Sequence, residues 1–198
     1  MHLRSHKRKL ILASSSPYRK ILLERLGIPF DIFSPSVDES PRENETSATL
    51  VSRLASDKAR AAALHFPSAL VIGSDQIAIC NEKVVGKPGS RAKAIGQLRE
   101  FSGQTVQFLT ALAVLCSDTA FHYERTVVTD VGFRELSDDE IHLYVEVDNP
   151  IDCAGSFKSE AAGISLLRSM ISEDPTAIIG LPLITVSEAL RQAGLQVP

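Results

Sequence analysis

Several short polar stretches carry residue types suited to phosphate chemistry. Ser14, Ser15 and Ser16 stand directly before Pro17, with Arg19 close behind. Between a strand and a helix, such a segment offers backbone N–H groups and the positive end of a helix dipole to an anion. Arg19 there could clamp a phosphate through two N–H bonds. A plain helix start, with a serine cap, Pro17 in the first turn and a surface arginine, accounts for the same residues. Asp38 and Glu39 are adjacent carboxylates in a loop rich in Pro and Ser. Asp75, within Val71-Ile72-Gly73-Ser74-Asp75-Gln76-Ile77, interrupts an apolar strand. A carboxylate in such a run is costly to bury unless paired or metal-bound, though a satisfied structural bond explains it equally well.

Two lysines and one loop complete the set. Lys58 lies among Ala55, Ala59 and Ala62, where an aliphatic stem snorkelling from a helix edge is the ordinary explanation. Gly86-Lys87-Pro88 places a cation on a tight turn, which a plain β-turn also explains. Gly155-Ser156-Phe157-Lys158-Ser159-Glu160 reads as a polar strand or a solvated loop.

Other chemistries lack their signatures. No GxxxxGK[ST] or GxGxxG element supports a P-loop or a Rossmann nucleotide site, and no GxSxG element supports an α/β-hydrolase. His2, His6, His65, His122 and His142 are scattered without an HExxH pair. Cys80, Cys116 and Cys153 are odd in number and form no CxxC, which suits a reducing compartment and gives no zinc framework. The balance of 21 basic against 24 acidic residues argues against a strongly basic nucleic-acid binder. No apolar run approaches the roughly 20 residues of a membrane helix. The basic start, residues 1–8, precedes too short an apolar run for a secretory signal and reads as a dispensable tail. Cytoplasmic location follows as the default.

These groups need a scaffold. The pattern predicts a single domain over residues 9–198, with a strand at Lys9–Ala13 and a helix from Pro17 through Leu26, stopped by Gly27. A second strand is expected at Ile28–Phe33, a helix over about 47–65, and a strand at Ala69–Cys80 followed by a turn and Val84-Val85. Residues 90–101 suggest a helix closed by Gly103. Gln104–Cys116 and Phe121–Phe133 fit a long hairpin joined at Ser117–Thr119. Ser137-Asp138-Asp139-Glu140 is a capping box opening a helix through Val145, and residues 176–193 contain the last helix. Early alternation with a central hairpin indicates an α/β fold with a mixed sheet.

Taken in order, Leu12-Ala13-Ser14-x-Ser16-Pro17-x-Arg19, Val37-Asp38-Glu39, Ala55-x-x-Lys58-Ala59, Gly73-Ser74-Asp75, Gly86-Lys87-Pro88, Ala154-Gly155-Ser156 and Gly180-Leu181-Pro182 resemble the Maf-like nucleotide pyrophosphatases. Each element is weak alone; seven in family order across nearly the whole chain after Lys9 make a specific match. Within the family the chain is most similar to the YceF-type branch, for which action on 7-methyl-GTP is implied. The distinguishing positions are Tyr18, Gln76 and Glu160, where the dTTP/UTP branch typically carries Arg, Thr and Gln. The YceF type often has Trp in place of Tyr18. A carboxylate at Glu160 matches the donor edge of guanine. An aromatic ring at Tyr18 would add a cation–π contribution of about 0.5–2 kcal/mol toward a positively charged methylated base.

The resemblance implies a Maf/ITPase-like fold, an elongated mixed sheet flanked by helices, with two lobes and a central cleft. It implies hydrolysis of an α–β phosphoanhydride to a monophosphate and pyrophosphate. Asp75 would accept the proton, with Glu39, Lys58 and Lys87 as further catalytic residues. Ser14, Ser16 and Arg19 would bind the phosphates, and Glu39 and Asp75 a divalent cation, Mg²⁺ with Mn²⁺ as the alternative. The partner is then a small-molecule nucleotide, not nucleic acid or a membrane, and a homodimer stays open. So do a dTTP/UTP pyrophosphatase, an enzyme for another damaged nucleotide, and a nucleotide-sensing regulator of cell division that binds without turnover.

Overall fold

The computed structural model describes residues 8–198 and contains an α/β fold built on one mixed sheet of seven strands. The strand order is β2-β1-β3-β5-β6-β7, with β4 paired to β3. The chain divides into two compact units, the first Met1–Asp75, Ala111–Thr126 and Gly180–Pro198, the second Gln76–Thr110 and Val127–Ile179. Residues 1–7 of the expected basic tail lie outside the described residues, and Arg8 donates from Nη1 to the Ala193 carbonyl at 3.3 Å.

The first unit is organised around β1 (Leu10–Ala13), whose four residues are all buried. It runs parallel to β2 (Asp31–Phe33) and to the start of β3 (Leu70–Cys80), with Leu10 opposite Leu70 and Ala13 opposite Gly73. A strand with a parallel neighbour on each side and both faces covered reads as a continuous apolar run, which explains Leu-Ile-Leu-Ala. Helix α1 (Pro17–Glu24) opens with Ser16 as its cap and Pro17 in the first turn. Helix α2 (Ser47–Ala63) is capped by Thr46, whose side chain accepts from the Thr49 N–H. Its small residues let it lie directly on β3. A Cβ added at Gly73 would meet the Ala55 carbonyl oxygen inside contact distance and the Ala59 nitrogen at 2.8 Å.

The second unit has its own core. Helix α3 (Arg91–Phe101) supplies Leu98 and Phe101, and α4 (Asp138–Asp148) supplies Ile141, Tyr144 and Val145. Phe101 and Phe133 lie 5.3 Å apart between ring centroids, and Phe133 and Phe157 lie 5.4 Å apart, a spacing at which aromatic rings attract. The end of β3 turns into β4 (Lys83–Val85) through Asn81 and Glu82, both at positive φ, as a tight two-residue hairpin demands. The long strands β5 (Thr105–Cys116) and β6 (Phe121–Phe133) meet at Ser117–Thr119 as expected.

Boundaries and one element depart from the sequence reading. Strand β2 starts at Asp31 rather than at Ile28, α1 ends at Glu24, and α4 runs on to Asp148 before Asn149 stops it in the left-handed region. The last helix, α5 (Leu183–Gln192), begins only after Pro182. Upstream, Asp174 Oδ1 accepts from the Thr176 N–H and hydroxyl, a local turn that competes with helix. Strand β7 (Leu167–Ser172) carries no strand pattern of its own, because its mixed Leu-Arg-Ser-Met-Ile-Ser sequence follows from pairing with β6 rather than from burial. Among the described residues, no helix is long and apolar enough to cross a membrane.

The packing of α2 on β3 gives a direct test. Gly73→Ala pushes a methyl group into backbone atoms that cannot swing aside, and overpacking of this kind costs about 3 kcal/mol. Urea denaturation should show a lowered midpoint with an unchanged slope. A neutral substitution would mean that the helix is free to shift outward.

Candidate active site

The connection from β1 to α1 is built by its serines. Ser14 is buried, and its Oγ accepts from the Ser16 N–H at 3.1 Å and from Arg19 Nη1 at 3.3 Å. Ser16 Oγ in turn accepts from the Arg19 N–H at 3.4 Å as the helix cap. With both lone pairs of Ser14 engaged, its hydroxyl proton is the group it can offer to an anion. The helix cap read from the sequence is therefore present, built by Ser16 and tied to Ser14 through Arg19.

Arg19 does not behave as a surface arginine. It is half-buried, and Nε donates to the Gly180 carbonyl at 2.8 Å. Two of its five N–H bonds thus fix the plane of the guanidinium and leave three to a ligand. Burial pushes this guanidinium below its ordinary pKa, and the nearby Asp75 and Glu39 carboxylates offset only part of that shift. Arginine remains a cation under such a shift. The same Gly180 oxygen accepts from Ser74 Oγ at 3.1 Å. Gly180 sits at φ +120°, a conformation that L side chains rarely adopt. No role for Gly180-Leu181-Pro182 follows from its sequence alone. In the structure its glycine carbonyl aims the arginine, and only the glycine itself hinted at the backbone conformation involved.

The carboxylates converge on one cation. Lys58 Nζ lies 2.6 Å from Asp75 Oδ1 and 2.7 Å from Glu39 Oε1. The Lys58 and Asp75 side chains are only 11% and 12% exposed, so the lysine points inward and the snorkelling alternative is corrected. Helix α2 lies close enough for this because Gly73 has no side chain. Glu39, by contrast, is 61% exposed on its loop. Ser14, Ser16, Tyr18, Arg19, Glu39, Lys58 and Asp75 all belong to the first unit, with Tyr18 half-buried on the first turn of α1.

Gln76, Lys87 and Glu160 belong to the second unit. Gln76 Nε2 lies within hydrogen-bond distance of Thr110 Oγ1 at 2.9 Å and the carbonyls of Ala177 at 2.9 Å and Ile178 at 3.0 Å, so its amide ties strand to turn. Lys87 is exposed on its turn. The preceding Gly86 carbonyl is held by Gln97 Nε2 at 3.2 Å, and Gln97 Oε1 accepts from Ser156 Oγ. Gln97 escaped the sequence reading because a glutamine on a helix carries no pattern of its own. The Gly155–Glu160 stretch is not a solvated loop throughout. Gly155, Ser156 and Phe157 are buried, while Glu160 is exposed beside Ser159.

Among the described residues, no three His, Cys, Asp or Glu side chains gather as a metal cluster. Glu39 and Asp75 still form a fitting donor set for Mg²⁺. That ion takes one or two carboxylates and completes its shell with phosphate oxygens and water.

A sequence profile described as Maf-like protein matches residues 9–193. Three curated relatives named 7-methyl-GTP pyrophosphatase match at nearly full length. The Aromatoleum aromaticum protein is 54% identical over 190 residues, covering 96% of this chain and 98% of the relative. The Albidiferax ferrireducens protein is 50% identical over 191 residues, covering 96% of each. The Pseudomonas aeruginosa protein is 49% identical over 189 residues, covering 96% of this chain and 98% of the relative.

Removing the shared cation should be costly in a specific way. Lys58→Met leaves Asp75 buried and charged without its partner, a loss of about 3 kcal/mol. Adding Asp75→Asn removes the stranded charge, so the double variant should recover much of that stability in chemical denaturation. Equal stability of single and double variants would show that water already solvates Asp75.

Proposed function

The chain belongs to the Maf-like protein family, and on that premise we propose that it hydrolyses the α–β phosphoanhydride of 7-methyl-GTP. The observation that carries this reading is the Lys58 ammonium joined to both Asp75 and Glu39, in the same unit as a guanidinium fixed for anion binding. The relatives' names supply the substrate class, and the residues supply the chemistry.

Arg19 and the Ser14 and Ser16 loop bind the polyphosphate through fixed donors, which need no reorganisation as charge develops on the phosphoryl oxygens. Asp75 takes the proton of the attacking water. Lys58 holds Oδ1, which leaves Oδ2 as the carboxylate oxygen outside that ion pair. A new P–O bond forms at the α-phosphorus while the bridging P–O bond breaks, and the products are the nucleoside monophosphate and pyrophosphate. A carboxylate is a weak base for water, so the proton transfer needs help. Glu39 and Asp75 would hold a divalent cation, Mg²⁺ or Mn²⁺, which makes bound water more acidic and offsets phosphate charge. Cys80, Cys116 and Cys153 form no disulfide with one another, and the cytoplasm is our reading of the compartment.

The experiment is steady-state pyrophosphate release from 7-methyl-GTP, GTP, dTTP and UTP with Mg²⁺. The methylated guanine nucleotide should be preferred, EDTA should abolish turnover, and added Mg²⁺ should restore it. Asp75→Asn should lower kcat by about 10² or more, in line with a lost general base, with an unchanged circular dichroism spectrum. Preference for dTTP or UTP overturns the substrate assignment. No turnover on any of the four leaves a binding module instead of an enzyme.

A further inference from the structure

Glu39 is the most exposed member of the cation-sharing group. Its side chain is 61% exposed, so packing does little to place it. The backbone on either side is held instead. The Asp38 carboxylate accepts from the Ser40 N–H at 3.0 Å, closing a tight turn around Glu39. The carbonyls of Asp38 and Ser40 both accept from Arg53 on α2, from Nη1 at 3.4 Å and from Nη2 at 3.0 Å.

Arg53 is saturated. Nε and Nη2 also grip the two oxygens of Glu45 at 2.6 and 2.9 Å, and Nη1 reaches Asp57 Oδ2 at 3.3 Å. Five donors thus meet five acceptors, the full capacity of a guanidinium. The Glu45 carboxyl is held down to about 2, chiefly by its hydrogen bond from Arg53. The Arg53 side chain is itself 12% exposed, so water competes little for these bonds.

We propose that Arg53 is a positioning residue, which sets the Asp38–Ser40 backbone so that the Glu39 carboxylate reaches Lys58. Its donors are spent on that loop and on Glu45 and Asp57, so it acts on the cation-sharing group through Glu39. The proposal rests on the pyrophosphatase reading for its kinetic consequence, but not for its structural one.

Arg53→Lys keeps the charge opposite Glu45 and Asp57 and removes the planar fork. A single ammonium cannot hold two carbonyls and a bidentate carboxylate together. Amide hydrogen exchange over residues 38–46, measured without substrate, should speed up by about tenfold in this variant, while Glu39→Gln leaves it unchanged. Unaltered exchange in Arg53→Lys overturns the proposal whatever the activity. With 7-methyl-GTP and Mg²⁺, Arg53→Lys should lower kcat by about tenfold with KM within about twofold, the size of effect that slight misplacement gives. Combined with Glu39→Gln, it should cost nothing further, because both changes remove one unit. Multiplying losses in the double variant would mean that Arg53 acts independently of Glu39, and the proposal fails. If the wild type releases no pyrophosphate, the pyrophosphatase reading fails by itself, and the exchange measurement still decides the role of Arg53.

Discussion

A buried carboxylate is costly on its own, and the ammonium of Lys58 is what makes Asp75 tolerable inside β3. An unpaired charge at that depth would destabilise the strand that carries it. Pairing it requires the helix that carries the lysine to lie against the strand that carries the aspartate. That requirement accounts for the alanines at 55, 59 and 62 and for the missing side chain at 73. The small residues are not a weak core. They are the spacing that lets a long, charged side chain end on its partner at 2.6 Å.

The guanidinium of Arg19 follows the same logic from the other direction. Burial disfavours its charge, and the answer is geometric: a carbonyl and a hydroxyl fix its plane, and two carboxylates in the same unit offset part of the burial cost. Gly180 matters because its carbonyl serves two donors at once, a direction reached from a backbone angle that most residues avoid. In both cases glycine supplies the conformation or the clearance, while the polar groups supply the attraction.

Much of this was legible in the chain. Asp75 stood out because it breaks an apolar run, and Arg19 because it follows a serine-rich helix start. The strands at 9–13 and 69–80 announced themselves as apolar runs, and the helix at about 47–65 by its helical spacing of apolar residues. What could not be read was anything that depends on residues distant in sequence. Lys58 looked like an edge lysine because its partner lies on another element. Arg53 carried no signal, since a charged residue on a helix is unremarked until its acceptors are known. Gly180 belonged to a recognisable stretch, yet its service to Arg19 spans most of the chain. Strand β7 failed for a related reason, being specified by hydrogen bonds to β6 and not by its own pattern.

Helix α2 carries both Arg53 and Lys58, five residues apart, and one loop is fastened to it at both places. Clamp and anchor therefore share a frame of reference. A small rigid displacement of the helix carries loop and lysine along together, as two marks on one ruler move together. Helical phase is a different matter. One residue inserted between them would rotate the anchor by about 100° relative to the clamp, and no adjustment of the loop could answer both. The stretch 53–58 is thus tolerant in position and unforgiving in register, a tolerance set by counting residues.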